Sequence, residues 1–322
     1  EDRIKNNIKS STAVGGSATN YLLNGGFESL DSDGNALYWT KSSSRVEYGR
    51  TLDEACGTYE AVFLVASGNT DTIRQYTKLS KGTYTLSMNV NTFDCKNVRM
   101  YVAVQSLSDS SPSYSEEVPV NEYYASGQTA FFSTSFEVAG ASEAFEIIVK
   151  VVGGSIASGQ EASVSVDNLM LEKNIGNSAY SLVQLGNFEN FSVDSSGTYL
   201  NYSKNFWTNT SGNYVVRNVG APFGLSAYLT ASLTGERYMK QTLYQAPSSL
   251  MAAYDNHNYY GESAKTYIVS GFGRGTGQVA NPDAAFRIRV DVTYYMGSGK
   301  DDIVVPFCFD FQTGCKDWQF VC

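Results

Sequence analysis

Histidine is nearly absent from this chain of 322 residues, which contains only His257. Ordinary zinc sites and imidazole-assisted nucleophiles both need histidine, and His257 has neither an HExxH nor a GxSxG motif beside it. Five cysteines are present, but they form no CxxC pair and are too scattered for a disulfide framework. The sequence therefore predicts no metal site or nucleophile built from these two residue types.

Charged residues are also scarce, at 17% of the chain, and the formal net charge is −9. Proteins that bind nucleic acids or anionic membrane surfaces cluster lysine and arginine, so an acidic chain argues against both. No run approaches the ~20 apolar residues of a membrane-spanning helix. We therefore expect no nucleic-acid partner and no membrane insertion.

Aromatic and β-branched residues are plentiful, with 23 tyrosines and 17 phenylalanines. These residue types favour the pleated, half-buried surface of a β-sheet. Residues 83–90 and 98–105 alternate between polar and apolar, which predicts two strands that each turn one face to a core. The expected inward residues are Tyr84, Leu86, Met88, Val90, Val98, Met100, Val102 and Val104. With further strands expected at 145–151 and 164–171, the pattern predicts an all-β fold of β-sandwich type.

One phrase of the sequence occurs twice. Residues 22–28 (LLNGGFE) return as residues 183–189 (VQLGNFE), 161 positions later, and each copy is followed by a tryptophan, Trp39 or Trp207. Residues 97–104 also align with 285–292 without a gap. Self-similarity at this spacing indicates a duplicated domain rather than a solenoid repeat.

The repeat predicts two tandem β-sandwich domains, at 20–175 and 180–322, preceded by a linker at 1–19. The linker is predicted from its Ser- and Gly-rich end. The second copy lacks an equivalent of residues 166–172, so we expect that domain to be truncated at its C-terminus. By this prediction the chain is a fragment of a longer protein.

Several short motifs together resemble a known family. The opening 24–28 (NGGFE), Trp39, 82–87 (GTYTLS) and the closing 166–172 (VDNLMLE) resemble carbohydrate-binding-module-like jelly rolls. The passage from 171 to 189 is similar to tandem modules of large secreted bacterial proteins that carry RHS (YD) repeats, such as wall-associated proteins. Residues 184–187 (QLGN) depart from the family's opening. The resemblance implies two jelly-roll domains, a secreted or cell-surface location, and a polysaccharide or cell-surface glycan as partner beside the rest of the parent polypeptide.

The same resemblance implies a structural calcium ion in the first domain, shared by Glu28 and Asp167. Ca²⁺ takes oxygen ligands, and carbonyls of the Gly25–Gly26 loop would complete such a set. The ion would tie the first strand to the last. The alternative is that Glu28 ends a strand and Asp167 hydrogen-bonds a turn.

The outward faces of the two aligned strands are the candidate ligand-binding surfaces. Sugar recognition needs flat apolar surface together with donors and acceptors aimed at hydroxyl groups. The alternative is a solvated sheet face with cross-strand ion pairs, worth a few tenths of a kcal/mol each. The candidate residues are Arg99, Tyr101 and Gln105 in the first copy, and Arg287, Arg289 and Asp291 in the second.

The sequence gives little support for catalytic activity. The adjacent carboxylates Glu116–Glu117 and Asp301–Asp302 point to opposite sides of the chain, so neither pair can flank one glycosidic bond. We expect no enzyme activity and a non-catalytic extracellular binding or adhesion module. Two alternatives stay open: a structural spacer of an RHS-repeat protein, and an accessory glycan-binding module of a polysaccharide hydrolase.

Overall fold

The computed structural model describes most of the first half of the chain and separate segments of the second. The described residues are 19–50, 59–108, 112–120, 129–141, 143–157, 162–173, 181–186, 188, 192–198, 200, 207–209, 214–217, 226–229, 235–243, 269–275, 285–294, 301–311 and 318–321. The predicted linker (apart from Thr19), the predicted boundary at 176–179 and His257 lie outside them.

Ten strands form two five-stranded antiparallel sheets. Sheet I has the strand order β1-β4-β9-β6-β7, and sheet II has the order β2-β3-β10-β5-β8. Most successive strands cross between the two sheets, and only the pairs β2–β3 and β6–β7 stay within one sheet. This is the connectivity of a jelly-roll sandwich. The strands are β1 (Thr40–Lys41), β2 (Val46–Arg50), β3 (Tyr59–Val65), β4 (Thr70–Leu79), β5 (Gly82–Phe93), β6 (Val98–Ser106), β7 (Pro112–Val118), β8 (Thr129–Val138), β9 (Glu143–Gly153) and β10 (Ala162–Lys173).

A single apolar core fills the space between these two sheets, and it confirms the predicted β-sandwich. The eight residues expected to face inward on β5 and β6 are all buried, none more than 1% exposed. Sheet I also contributes Ile147 and Val149 from β9, and sheet II contributes Val164 and Val166 from β10. The core forms because period-two alternation turns every second side chain of each strand to the same side.

A β-bulge interrupts the last strand of the sandwich. The register of β10 on β5 shifts between Asp167 and Met170, and Asn168 adopts a φ of 53°. The Asn20 side chain fills the gap: its amide nitrogen donates to Leu169 O at 2.8 Å, and its oxygen accepts from Leu171 N at 2.9 Å. The bulge therefore fastens the start of the sandwich to its final strand.

Eight further strands follow within the described segments. They pair in four two-stranded antiparallel ladders, β11 with β14, β12 with β13, β15 with β18 and β16 with β17. β16 covers most of the segment 285–292 that aligns with 97–104. Their bounds are β11 (Thr208–Asn209), β12 (Tyr214–Arg217), β13 (Ser226–Leu229), β14 (Met239–Lys240), β15 (Gly271–Gly273), β16 (Phe286–Tyr294), β17 (Ile303–Phe311) and β18 (Gln319–Val321).

The described residues fall into two compact units. The larger unit takes those within Gly16–Arg217 and Leu225–Tyr244, and the smaller takes those within Gln245–Cys322. Within the described segments no helix has the length and apolar character needed to cross a membrane.

The repeated phrase has the same local structure in both copies. Asn24 and Phe27 adopt φ values of 51° and 57°, and Leu185 and Phe188 adopt 50° and 59°. In each copy the Phe nitrogen donates to the carbonyl three residues earlier at 3.0 Å. The Trp39 indole donates to Asn24 O at 2.9 Å, and the Trp207 indole donates to Leu185 O at 3.4 Å. The duplication read from the sequence is therefore also a duplication of local backbone conformation.

Candidate functional site

The outer face of sheet I brings several polar side chains of the larger unit together. Because the alternate residues of β4, β9 and β6 fill the core, the remaining ones point outward. Strand register arranges them in cross-strand rows. The rows are Tyr76–Glu146–Gln105, Arg74–Ile148–Ala103 and Thr72–Lys150–Tyr101, with Arg99 beyond the last. The structure thus places the predicted Arg99, Tyr101 and Gln105 on one face.

Glu146 lies on the middle strand of sheet I, in the row at one end of this outer face, and is only 8% exposed. Its carboxylate is paired with Arg74, whose Nη1 lies 3.1 Å from Oε1. Arg74 also donates from Nη2 to Thr72 Oγ1 at 3.0 Å, which fixes the guanidinium plane. A carboxylate with so little exposure needs such partners, since burying an unpaired charge is costly. The pair presents donors and acceptors in a fixed arrangement.

The Tyr76 hydroxyl extends this polar centre. Burial raises the pKa of Tyr76, and its hydrogen bond to Glu146 and that residue's negative charge raise it further. Tyr76 therefore keeps its phenolic proton at neutral pH. Gln105 is the cross-strand neighbour of Glu146 on the other side, so an amide adds both a donor and an acceptor to the same row.

Ion pairs engage the other end of the outer face. Arg99 makes a two-pronged salt bridge with Glu117 on β7, with distances of 2.9 Å from Nε and 2.7 Å from Nη2. The hydrogen bond from Arg99 lowers the pKa of Glu117. Two cations lie over the Tyr101 ring, Arg99 at 5.1 Å and Lys150 at 4.8 Å. At Arg99 the structure thus contains the cross-strand ion pair of the alternative interpretation.

Arg74, Tyr76 and Glu146 were not predicted from the sequence. The sequence feature that could have identified them is the alternation in 70–79 and 143–153, where charged or aromatic residues occupy positions between buried ones. Only the antiparallel register of β4 on β9 brings these residues together, and neither segment alone predicts that register.

The second predicted surface lies on β16 in the smaller unit. Arg287, Arg289 and Asp291 share one exposed face of this strand, as the alternation predicts. Arg287 pairs with Asp310 across the ladder at 2.8 Å, and Arg289 pairs with Asp291 at 2.7 Å. These side chains are therefore also engaged in exposed ion pairs.

The predicted calcium residues lie on two segments in direct contact. Leu169 N donates to Gly25 O at 2.9 Å, so the opening loop packs on the bulge of β10. Glu28 Oε1 accepts from Tyr59 N at 2.9 Å, and Asp167 Oδ1 accepts from Asn168 N at 2.7 Å. Glu28 thus contacts the first residue of β3, and Asp167 contacts the bulge inside β10.

The chemistry of the bulge nevertheless suits an oxygen-seeking cation. Asn168 Oδ1 is buried and accepts no hydrogen bond, and oxygens of this kind are ligands that Ca²⁺ prefers. Among the described residues no three His, Cys, Asp or Glu side chains converge as a metal cluster. A calcium ion held by Glu28 and Asp167 would therefore need amide and backbone oxygens as well.

No protein-family model matches the sequence, and no curated protein matches it. Among solved structures, the chain is similar to the carbohydrate-binding module TmCBM61 in complex with β-1,4-galactotriose, at 19% identity and a TM-score of 0.37, over 48% of this chain and 99% of that chain. It is also similar to a family 16 carbohydrate-binding module, at 17% identity and a TM-score of 0.35, over 48% of this chain and 100% of that one. An arabinose-bound α-L-arabinofuranosidase matches at 14% identity and a TM-score of 0.37, over 49% of this chain and 27% of the enzyme.

Proposed function

We propose that the larger unit binds an extended saccharide on the outer face of sheet I and does not cleave it. The observation that carries the proposal is the Arg74–Glu146 pair, held at 3.1 Å on an outward face, with Glu146 in the row between Tyr76 and Gln105. Only the Glu146 side of the pair is buried, since the Arg74 side chain is 34% exposed. Such a pair is a weak source of stability, so its place on a ligand-sized polar patch points to recognition.

The chemistry of the patch matches that of a sugar. Neighbouring hydroxyls of a sugar ring each donate and accept hydrogen bonds, and a guanidinium beside a carboxylate offers one donor group and one acceptor group side by side. Ile148, which is half-buried, supplies apolar surface in the adjacent row. An open sheet face buries little ligand surface, so the affinity is expected on the order of micromolar to millimolar.

Binding without turnover is part of the proposal. Arg99 holds Glu117 ionised by lowering its pKa, so this carboxyl is a poor general acid. Glu116 and Glu117 are consecutive on β7 and so point to opposite sides, as the sequence argument required.

The setting proposed for this module follows the sequence resemblance. We propose a secreted or cell-surface parent protein, with an extended polysaccharide or cell-surface glycan as partner and with the rest of that polypeptide attached. An RHS-repeat array and a polysaccharide hydrolase are both suitable parents. We also propose that Glu28 and Asp167 hold a structural calcium ion in the first domain.

Affinity electrophoresis against soluble β-1,4-galactan, xylan, β-glucan and galactomannan tests the proposed binding. E146Q keeps the shape of the side chain but removes its charge, and it is expected to weaken binding by about tenfold or more, since hydrogen bonds to charged groups are worth about 1.5–3 kcal/mol. E137Q, the same change at an exposed position on β8 of sheet II, is the matched control and should leave retardation unchanged. Retention of none of these polysaccharides, or equal binding by E146Q, contradicts the proposal.

The Arg287–Arg289–Asp291 face is the second candidate surface, and its exposure on one side of β16 favours it. The double variant R287A/R289A distinguishes the candidate surface on β16 from the one on sheet I. Loss of retardation in this variant, with E146Q unaffected, would move the site to β16. Glycosidase or esterase turnover by the purified chain would contradict the proposal that the chain binds its ligand without cleaving it.

A further inference from the structure

A rigid turn follows the repeated phrase in the second copy. Asp194 Oδ1 accepts from Ser196 N at 2.8 Å, from Ser196 Oγ at 2.6 Å and from Thr198 N at 3.0 Å. Gly197 N donates to Asp194 O at 3.0 Å, and Gly197 adopts a φ of 79° that glycine tolerates best. The turn at 194–198 is thus held by its own hydrogen bonds.

This turn stands against the outer face of sheet I. Ser192 forms a bridge with Thr77 of β4, so the chain enters the turn as an extension of that sheet. A Cβ on Gly197 would lie 3.2 Å from the Ala144 Cβ. Ala144 points outward on β9, because its neighbour Phe145 is in the core. Whatever touches the Ala144 side chain therefore lies on the outer side of the sheet.

The turn meets the polar patch at one end of its long axis. From Arg99 to Gln105 the patch runs along β6 for about 20 Å, whereas the three strands β4, β9 and β6 measure about 10 Å across. An extended chain therefore aligns with the strands. Ala144 is two residues from Glu146 along β9, or about 7 Å, so the turn closes the Glu146 end. At the other end Thr70 and Arg99 are exposed.

We propose that the turn at 194–198, supplied by the second copy, closes the saccharide site of the first domain, so that the site holds the terminus of a chain rather than an internal stretch. The inference rests on the proposed saccharide binding. It assigns the second copy a part in the specificity of the first.

The experiment compares a polysaccharide with its own fragments. The galactan, xylan, β-glucan or galactomannan retained by the chain is partly digested at constant mass, and each digest competes with the intact polymer. Terminal recognition predicts that inhibition rises in proportion to the number of chain ends. Inhibition that stays constant or falls on digestion overturns the inference but leaves the proposed function standing, whereas absence of any binding, or binding equal in E146Q, removes the proposed function itself.

D194A supplies the structural arm of the test, because it removes the acceptor of three hydrogen bonds in the turn. It is expected to reduce the preference for chain ends while polymer binding is retained or increased. D31A is the matched control: Asp31 Oδ1 accepts from Asp33 N and Asn35 N in the equivalent turn of the first copy. An unchanged preference in D194A, with melting temperatures of both variants close to that of the parent, overturns the inference.

Discussion

At the scale of the residue, Asp71 shows how one buried carboxylate organises a connection between the two sheets. It is 4% exposed and accepts hydrogen bonds from Arg45 Nε at 2.8 Å and from Ser43 Oγ at 2.5 Å. Burial alone would raise the pKa of Asp71, but these hydrogen bonds outweigh it and the pKa is lowered. The ionised side chain thereby pins the link between β1 and β2.

The lowered pKa fixes the sign of a pH dependence. A carboxyl whose pKa is lower in the folded state stabilises the fold above its unfolded pKa, here 3.8, and that stability is lost as the pH falls through the folded value. D71N should therefore cost about 1–3 kcal/mol at neutral pH, and the deficit should shrink below about pH 4. Urea unfolding of the parent protein and of D71N, from neutral pH to below about pH 4, measures this deficit in stability. D33N, at an exposed position, is the control, and a deficit independent of pH would contradict the assignment.

At the scale of the element, the opening loop is shaped by the absence of one side chain. A Cβ on Gly25 would lie 2.0 Å from Leu169 O, closer than any real contact. Only glycine allows the loop to pack on the bulge of β10 and to make the hydrogen bond between them.

G25A is expected to destabilise the fold by about 1–3 kcal/mol, because the loop or the bulge must shift to admit the methyl group. Thermal unfolding followed by circular dichroism measures the change. G49A is the control, since a Cβ there would meet only Val62 Cγ2 at an ordinary 3.5 Å. Equal melting temperatures for the two variants would refute the close approach.

The strands themselves were predictable where the sequence alternates. Residues 83–90 and 98–105 show unbroken period-two patterning, and both proved to be strands with the expected inward faces. The outer face of sheet I was predictable only in part, because Arg74 and Glu146 lie 72 positions apart and meet only through strand register. The alternation within a strand predicts which residues face the core, but it does not predict which other strands pair with it.

At the scale of the whole molecule, the proposed calcium ion would join the beginning of the sandwich to its end. An ion that binds only the folded state stabilises it by mass action, by about 2.7 kcal/mol at a hundredfold excess over its dissociation constant. The melting temperature should rise on addition of calcium to protein stripped with a chelator, and magnesium is the control. D167N should abolish the rise. If neither the chelator nor added calcium changes the melting temperature, the proposed calcium ion is contradicted.

The conformation shared by Asn24 and Leu185 bears on how the two copies came to depend on each other. Asparagine tolerates this left-handed backbone, and Asn24 uses its amide to hold Ser29 O and Leu37 O at 2.9 and 3.0 Å. Leucine pays about 1–2 kcal/mol for the same backbone, yet Leu185 is 3% exposed and packs with Leu23 in a small apolar cluster. Burial of such a side chain offsets the strain. The two copies are therefore no longer interchangeable. Either copy inherited alone would expose an apolar leucine, Leu23 or Leu185, at its surface. We therefore expect recombination to transfer both copies together.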